Sequence, residues 1–537
     1  MKKKISTILL IIIFIIINLA TVSYANNIEI RLPEKTEAYK KWEKLSPEEK
    51  EKTIQPSPYG IRIEQSLKRS KYNALLGGNT SLDSKFDLTK KYNLIVKNQK
   101  QTMSCWAFSA TTMLESNVAM RNAFLGKEYS PLHMEYRATE MYEKPKLGYG
   151  NAYMALAYMT NGYGPVDEAD FPMEDVYNET KNSLSTFYLS DPDVVNVNLD
   201  KEVQLRILDT TKFANIYKKY DSTTGNAIYY DANGQQYTLN QVEAVRKKIK
   251  QHITEYGAVT SMIYSDVNGE TTSDGQYISQ YHNQTTDVYA YKVDFTIAQS
   301  ANHQITKKAY IVQNSWGEVF ENDGCFYVSY DDVWIETEIS GVNNVEELAG
   351  NNIYDKVYQY DELGMNVWYA FNNPVYYANV FTREEKPSEK DEYVTEVGLY
   401  IGETTGIDIY VNSKDGEFTD SQGKTKLKPV HSGQILEPGY HVIRLNATED
   451  TKLTGDKFII AIKSTNDLGG SIPIEMNRYD SGATIYSEPH NKAIAEKGQS
   501  FIASSLTEWE DLNGYRISYI ETFRNSNVCI KAFTKYV

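Results

Sequence analysis

The sequence predicts an α+β protein that continues into an all-β sandwich. Three observations lead to this fold class. The first part of the chain shows the periodicity of helices. Predicted strands follow these helices up to about residue 335. The remainder consists of short segments of alternating apolar and polar residues, separated by turn residues at regular spacing. The chain has 537 residues, more than one hydrophobic core usually spans, so two or more domains are expected.

The N-terminus has the parts of a secretory signal. Lys2, Lys3 and Lys4 precede an apolar run over residues 8–17, and small residues near Ala25 suit cleavage. The run is shorter than the roughly 20 residues of a membrane span, although an uncleaved anchor remains the alternative. We expect residues 1–25 to be a signal peptide, and a secreted, extracellular or cell-surface protein with no membrane span after its removal.

Residues 26–80 are polar and show no pattern of a packed core. A charged helical stretch covers residues 35–52, and Pro56 and Pro58 then interrupt the chain. Such a segment is either a linker or a pro-segment that lies across another domain. Gly77, Gly78 and Asn79 mark a loop before the next unit.

The unit predicted over residues 81–335 mixes helices and strands. Helices are predicted at 106–120 and 151–160, and Asn240 is a candidate cap for a third helix. Strands are predicted at 258–264, 288–297, 309–313 and 325–330. Residues 180–239 look like an insertion, in which Asn233 and Gly234 form a hairpin turn.

The rest of the chain is predicted to be a polar linker at 336–354 and an antiparallel β-sandwich at 355–537. The predicted strands cover residues 375–381, 394–401, 406–411, 441–445, 457–462, 471–476 and 528–534. Few contacts are expected to cross the linker, so the sandwich should fold alone. Its Tyr and Asn content suits a carbohydrate or cell-surface ligand, and a rigid spacer is the alternative.

Composition excludes several classes of function. The net charge of −15 argues against a nucleic-acid binder, which would carry a basic face. Acidic residues lack metal-ligand spacing and no phosphate loop is present, so no metal or cofactor is expected. Three cysteines do not make a disulfide scaffold, and Cys325 and Cys529 are expected to be buried free thiols.

Cys105 is the candidate nucleophile. It stands where a polar loop gives way to a predicted helix, and the N–H groups and dipole of a helix N-terminus favour the thiolate that attacks. Gln99, six residues earlier, could direct its side-chain amide at a developing oxyanion. A buried structural cysteine is the plainer alternative.

Two segments resemble the papain-like cysteine proteases: Gln99 followed by Cys105-Trp106-Ala107-Phe108-Ser109, and Asn314-Ser315-Trp316-Gly317. Residues 158–166, 358–364 and 527–533 are similar to bacterial surface members that carry a C-terminal lectin-like sandwich. The resemblance implies a two-lobed protease domain, a pro-segment at 26–80, Asn314 orienting the catalytic histidine and Trp316 shielding that contact. It also implies that Gly150 lies beside the bound substrate backbone.

The histidine departs from the family pattern. Thr286 and Asp287 stand at the head of the strand where the family has its histidine. His303 is the candidate base, His282 is a second candidate, and a chain with no catalytic histidine is the third possibility. Thr102-Met103-Ser104 also replaces the family's Cys-Gly-Ser/Ala before the nucleophile, so the disulfide made by that first cysteine is absent.

Together these patterns predict a secreted zymogen of a cysteine endopeptidase that hydrolyses protein or peptide substrates. The alternative is a catalytically impaired papain fold that acts as a surface binding or adhesion module. The two hypotheses differ in whether a histidine activates Cys105.

Overall fold

We analysed the protein as a computed structural model. It describes residues 30–31, 40–41, 44–46, 86–92, 94–100, 102, 104–121, 127–142, 150–173, 198–221, 223–224, 226–264, 270–271, 276–278, 292–302, 308–318, 323–348, 353–385, 390–476, 493–515, 523 and 525–537. The predicted signal peptide lies outside the described residues.

Five helices contain five or more described residues: α1 Leu88–Tyr92, α2 Cys105–Met120, α3 Pro131–Tyr142, α4 Ala152–Thr160 and α5 Leu239–Glu255. Helix α2 starts one residue earlier than predicted, and its residues from Cys105 to Ala119 are all buried. A helix that is buried on every side has packing partners all round, which makes α2 the central element of this half of the chain.

Capping explains where two of the helices begin. The side chain of Asn151 accepts hydrogen bonds from the Tyr153 and Met154 N–H groups and starts α4. Helix α5 is capped by Thr238 in a capping box with Gln241, so the predicted cap at Asn240 is wrong by two residues.

The described strands are β1 Ile30–Arg31, β2 Leu205–Lys212, β3 Tyr217–Tyr220, β4 Ala227–Tyr230, β5 Val259–Tyr264, β6 Glu270–Thr271, β7 Gln276–Ile278, β8 Lys292–Asn302, β9 Lys308–Gln313, β10 Cys325–Ser329, β11 Ser340–Glu347 and β12 Lys356–Tyr358. They continue with β13 Val367–Phe371, β14 Val375–Thr382, β15 Glu392–Ile401, β16 Thr405–Asn412, β17 Lys428–Leu436, β18 Gly439–Arg444, β19 Lys452–Leu453, β20 Lys457–Thr465, β21 Gly470–Met476, β22 Ser500–Ala503, β23 Trp509–Asp511, β24 Ser526–Val528 and β25 Ile530–Tyr536.

The C-terminal half is the predicted sandwich. A six-stranded sheet has the order β17-β16-β20-β14-β22-β23, and a four-stranded sheet has the order β1-β13-β21-β24. One apolar cluster contains Tyr377, Ile409 and Ile460 from the first sheet and Tyr369 and Ile474 from the second. The expected α+β half followed by an all-β half is confirmed.

One long sheet joins the two halves. Its path runs β12-β25-β15-β18-β2-β11-β5-β8-β9-β10-β7-β6, so sandwich strands are continuous with strands of the N-terminal half. The halves meet where β18 pairs with β2, at His441 opposite Asp209. There the Nδ1 of His441 lies 2.7 Å from Oδ1 of Asp209.

The predicted linker is wrong over much of its length. Within 336–354, strand β11 pairs with β2 and with β5 inside the long sheet. Only Gly341 and Val342 of β11 are buried. The strand is mostly polar, so its sequence lacks the alternation of apolar and polar residues that predicts a strand. Residues 340–347 therefore belong to the N-terminal half.

Contacts across the boundary are also far more extensive than predicted. One apolar cluster combines Ala107 and Tyr158 from the helices with Trp368, Tyr400 and Cys529 from the sandwich. The two halves share this core, because neither would keep these side chains out of water alone. The pattern of strands in the sequence predicts a complete sandwich. It does not predict that the sandwich has a second apolar face, which is buried against α2 and α4.

The insertion contains a hairpin, in β3 and β4. The predicted turn exists, since Gly234 has a φ of +83° and its N–H donates to the Asp231 carbonyl at 3.1 Å. The segments on either side of this turn pair as predicted, since Tyr230 and Gln236 form a bridge, the Tyr237 N–H donates to the Tyr229 carbonyl at 2.7 Å and the Asp231 N–H donates to the Gln235 carbonyl at 2.8 Å. The β3–β4 hairpin is a further pairing that the sequence did not predict.

Candidate active site

Cys105 is the first residue of α2 and is 7% exposed. Ser104 precedes it without a side-chain capping bond. The cysteine packs against Met262 of β5. The candidate nucleophile therefore lies at a helix N-terminus between the helical lobe and the sheet, as its position in the sequence predicted.

The two motifs meet through their main chains. The N–H of Gln99 donates to the Ser315 carbonyl at 2.7 Å, and the N–H of Gly317 donates to the Lys97 carbonyl at 3.1 Å. Asn98 and Trp316 form the bridge between these bonds. The segment before the nucleophile is thus held directly against the Asn-Ser-Trp-Gly segment, although Gln99 and Ser315 are 216 residues apart in the chain.

The side chain of Gln99 is fixed at both ends. Its Oε1 accepts from the Ser315 hydroxyl, and its Nε2 donates to the Thr102 carbonyl at 2.8 Å. A carboxamide nitrogen carries two hydrogens, so this bond uses one of them. The side chain is therefore oriented beside the start of α2, with a second N–H to donate.

Asn314 is buried next to Gln313, at the end of β9. Its Oδ1 accepts from the Ser315 N–H at 2.7 Å, while its Nδ2 finds no hydrogen-bond partner in the described part of the chain. Buried polar atoms are usually paired, so this amide marks a place where another polar group belongs. Trp316 lies beside it and is 38% exposed.

Gly150 lies against the residue that follows the nucleophile. A Cβ at this position would overlap the indole ring of Trp106. Only glycine allows this approach, so residue 150 brings bare backbone next to the N-terminal turn of α2. The structure thereby brings Gln99, Cys105 and Gly150 to one end of this helix.

A buried ion pair that the motif search missed supports this arrangement. The Lys97 ammonium contacts the Glu115 carboxylate and donates to the Tyr129 carbonyl at 2.6 Å. Glu115 also accepts from the Tyr129 N–H at 2.7 Å. Burial raises the pKa of Glu115, and Lys97 opposes that shift. The pair anchors the segment of Gln99 to the middle of α2.

The candidates for the catalytic base, His303, His282, Thr286 and Asp287, all lie outside the described residues. The identity of the base therefore stays a prediction.

All three cysteines, Cys105, Cys325 and Cys529, are buried and free, as expected for the last two. Within the described ranges, no three or more His, Cys, Asp or Glu side chains form a group that could hold a metal. None of the helices in those ranges is both long and apolar enough to cross a membrane.

Comparison with protein families agrees with this geometry. Residues 82–344 match the papain family cysteine proteases, and residues 357–534 match the lectin like domain. The chain therefore joins a papain-family cysteine protease domain to a C-terminal lectin-like domain. A sequence comparison with curated proteins finds no match.

Two solved structures are similar over most of the chain. One contains the cysteine protease and lectin-like domains of Cwp84, a surface layer associated protein of Clostridium difficile. It is 19% identical with a TM-score of 0.68, and the match covers 94% of this chain and 98% of that one. The other is clostridial Cwp84 after propeptide cleavage, 18% identical with a TM-score of 0.60, over 83% of this chain and 98% of that one. At these identities the similarity establishes the fold.

Proposed function

We propose that the protein is a secreted cysteine endopeptidase that cleaves extracellular or cell-surface proteins through the thiolate of Cys105. The observation that carries the proposal is the junction of the two motifs. Gln99 and the residues next to Asn314 are hydrogen-bonded to each other at the N-terminus of the helix that begins with Cys105.

The chemistry follows from these positions. The Cys105 sulfur attacks the scissile carbonyl carbon, and the carbonyl oxygen becomes an oxyanion. The second N–H of Gln99 and the main chain at the start of α2 stabilise that charge. A histidine removes the thiol proton and later protonates the leaving amine. His303 is our candidate for this base, and Nδ2 of Asn314, which has no hydrogen-bond partner among the described residues, supports a polar partner at that place.

The segment 26–80 is proposed as a pro-segment that is removed on activation. Its described strand β1 pairs with β13 of the lectin-like domain, with Ile30 opposite Phe371. A segment that adds a strand to a neighbouring sheet is held in place by main-chain bonds. The lectin-like domain is proposed to bind a carbohydrate or another cell-surface ligand.

The rate of Cys105 alkylation against pH tests the catalytic proposal. Iodoacetamide should label the wild type near neutral pH, and the Cys105→Ala variant controls for the other thiols. His303→Ala should move the labelling curve to higher pH and abolish peptide hydrolysis, because the thiolate loses its cationic partner. Parallel labelling of His282→Ala distinguishes the second candidate.

Gln99→Ala provides an independent readout. Removing one oxyanion donor should lower peptide hydrolysis by about 10²–10³ while leaving alkylation nearly unchanged, since alkylation forms no oxyanion. If neither histidine variant moves the labelling curve and the wild type cleaves no peptide, the chain is a binding module and the proposal is wrong.

A further inference from the structure

Lys531 is a buried amine at the junction of the two domains. It is the second residue of β25, and its side chain is 0% exposed. Its ammonium contacts the side-chain oxygen of Asn161, which directly follows α4, and lies 2.9 Å from the Asp361 carboxylate. An amine, a carboxamide and a carboxyl group from two domains therefore meet in one buried place.

The surroundings of this amine exclude water. The centre of the Tyr400 ring lies 5.7 Å from the ammonium, and Tyr400, Asp361 and Cys529 are all buried. Charged groups are costly in such a place, because burial removes their hydration. Transfer of one proton from Lys531 to Asp361 makes both groups neutral and leaves an amine that is able to attack a carbonyl carbon. Burial raises the pKa of Asp361, which favours this transfer.

A second buried carboxyl group lies nearby, in Glu475 of β21. Its two oxygens accept from the Leu363 N–H at 2.7 Å and from the side-chain amide of Asn527 at 2.9 Å. Burial raises the pKa of Glu475 to about 8, so this side chain is mostly protonated and uncharged at neutral pH. Asp361 is therefore the carboxyl group that exchanges a proton with Lys531.

Two carboxamides lie within reach of the amine, and Asn161 is the better placed. The ammonium lies closer to the oxygen of Asn161 than to Oε1 of Gln359, which is 2.9 Å away. The side-chain nitrogen of Asn161 donates to the Glu362 carbonyl, which fixes the plane of its carboxamide. Asn161 is 7% exposed and the next residue, Gly162, is exposed, so ammonia released there has a short path to solvent.

We propose that Lys531 and Asn161 form an intramolecular isopeptide bond, which joins the lectin-like domain covalently to the protease domain. The lysine nitrogen gives one proton to Asp361 and attacks the side-chain carbonyl carbon of Asn161. The new C–N bond forms, the bond from that carbon to Nδ2 breaks, and a second proton of the lysine nitrogen leaves with Nδ2 as ammonia. Asp361 keeps the first proton, so the charges of the ion pair cancel and no other reactant is needed.

Position and burial together explain why an ordinarily unreactive carboxamide reacts here. Groups that are held in contact reach effective concentrations of about 10⁵–10⁸ M. The reaction also replaces a buried ion pair by uncharged groups, which removes the cost of keeping two charges away from water. The ion pair of Lys531 and Asp361 is the state from which the bond forms. This inference does not depend on the proposed peptidase function.

Mass spectrometry of the folded, full-length protein tests the proposal. The protein carries Cys105→Ala, so that it cannot cleave itself and its chain ends stay defined. Its intact mass should be lower by one ammonia than the mass calculated from the sequence. Digestion with trypsin should give one linked peptide that contains Asn161 and Lys531, because trypsin does not cleave after an acylated lysine.

Variants in the same background exclude a different loss of ammonia. Asn161 precedes Gly162, and an Asn-Gly pair also loses ammonia when it closes a main-chain succinimide. Lys531→Met should restore the full calculated mass, since it removes the isopeptide bond but not a succinimide. Asp361→Asn should also prevent the bond, because no carboxylate takes up the proton. Gln359→Ala is the matched control and should give as much linked peptide as the parent protein.

Four results would overturn the inference. The first is the full calculated mass for a protein that unfolds cooperatively. The second is loss of one water with a peptide that links Asp361 to Lys531. The third is loss of ammonia that persists in Lys531→Met, and the fourth is a linked peptide that contains Gln359 instead of Asn161. The peptidase proposal is independent of each of these results, since it is tested by the alkylation and hydrolysis measurements.

Discussion

Lys531→Met should destabilise the protease and lectin-like domains together. The Lys531 side chain is 0% exposed, as is that of Asp361. Its ammonium lies 2.9 Å from the Asp361 carboxylate and 2.9 Å from Oε1 of the Gln359 side chain, both within the lectin-like domain. It also donates to the side chain of Asn161, which lies at the end of α4 in the protease domain. One buried charge thereby connects the two domains.

The expected loss follows from the charge that is left behind. Without Lys531, the Asp361 carboxylate is buried with no cation, and breaking such a pair costs about 3–5 kcal/mol. Burial already raises the pKa of Asp361, and Lys531 opposes that rise. The variant should therefore take up a proton at Asp361. A total stability of about 5–15 kcal/mol makes this loss easy to measure.

Denaturant unfolding followed by tryptophan fluorescence is the assay. The double variant Lys531→Met/Asp361→Asn should lose less stability than the sum of the two single variants, since it leaves no charge unpaired. Lys426→Met is the control, because Lys426 forms a partly exposed pair with Asp415 at 3.1 Å. Pairs of that kind contribute about 0–1 kcal/mol.

Two results would refute the reasoning. One is a loss below 1 kcal/mol for Lys531→Met, equal to that of the control. The other is a variant in which only the lectin-like domain unfolds earlier while the protease domain keeps its transition. The lectin-like domain would unfold alone if the junction contributed little to the stability of the protease domain. A core that both domains share instead gives a single unfolding transition.

The remaining predictions concern buried titratable groups of the protease domain. Burial lowers the pKa of His133 to about 4, so between pH 6.5 and 4 the unfolded chain takes up a proton that the folded chain does not. Stability should therefore fall as the pH drops through this window, by about 1.4 kcal/mol per pH unit from this residue. A His133→Phe variant should show a shallower loss in unfolding measurements, and equal slopes would contradict the prediction. Glu115→Gln should leave the Lys97 ammonium buried without an anion, cost about 3–5 kcal/mol and slow the alkylation of Cys105. Unchanged stability and labelling would show that this pair does not support the nucleophile segment.

Local signals predicted the parts of the candidate site that are near each other in sequence. The position of Cys105 at the start of α2 was readable because a polar loop changes there into an apolar helical pattern. Asn314 and Trp316 were found only through a family motif. Nothing in their own spacing indicated that residues 315–317 would pair with residues 97–99. The Lys97–Glu115 pair carried no sequence signal, since a lysine and a glutamate 18 positions apart are ordinary surface residues in most chains.

The domain boundary shows where sequence patterns fail. The sequence of β11 predicts a linker because the segment is polar and contains Gly341, Asn343 and Asn344; in the structure residues 343–346 are indeed only half-buried. Its pairing with β2 and β5 comes from long-range main-chain bonds, which depend little on side-chain type. The shared core was equally hidden, because Trp368, Tyr400 and Cys529 fit a sandwich interior as well as an interface.

The sequence by itself determined the class of each half and the family, and it singled out Cys105 as the candidate nucleophile, because periodicity, turn residues and short motifs are local. Three segments, at 158–166, 358–364 and 527–533, are similar to the bacterial surface members of the family. Only the tertiary structure shows what they share, which is the buried junction of Asn161, Asp361 and Lys531. A buried lysine needs hydrogen-bond and charge partners around it, and here those partners come from distant segments. Only the packing of the folded chain brings these segments together, so no single segment of the sequence reveals the junction.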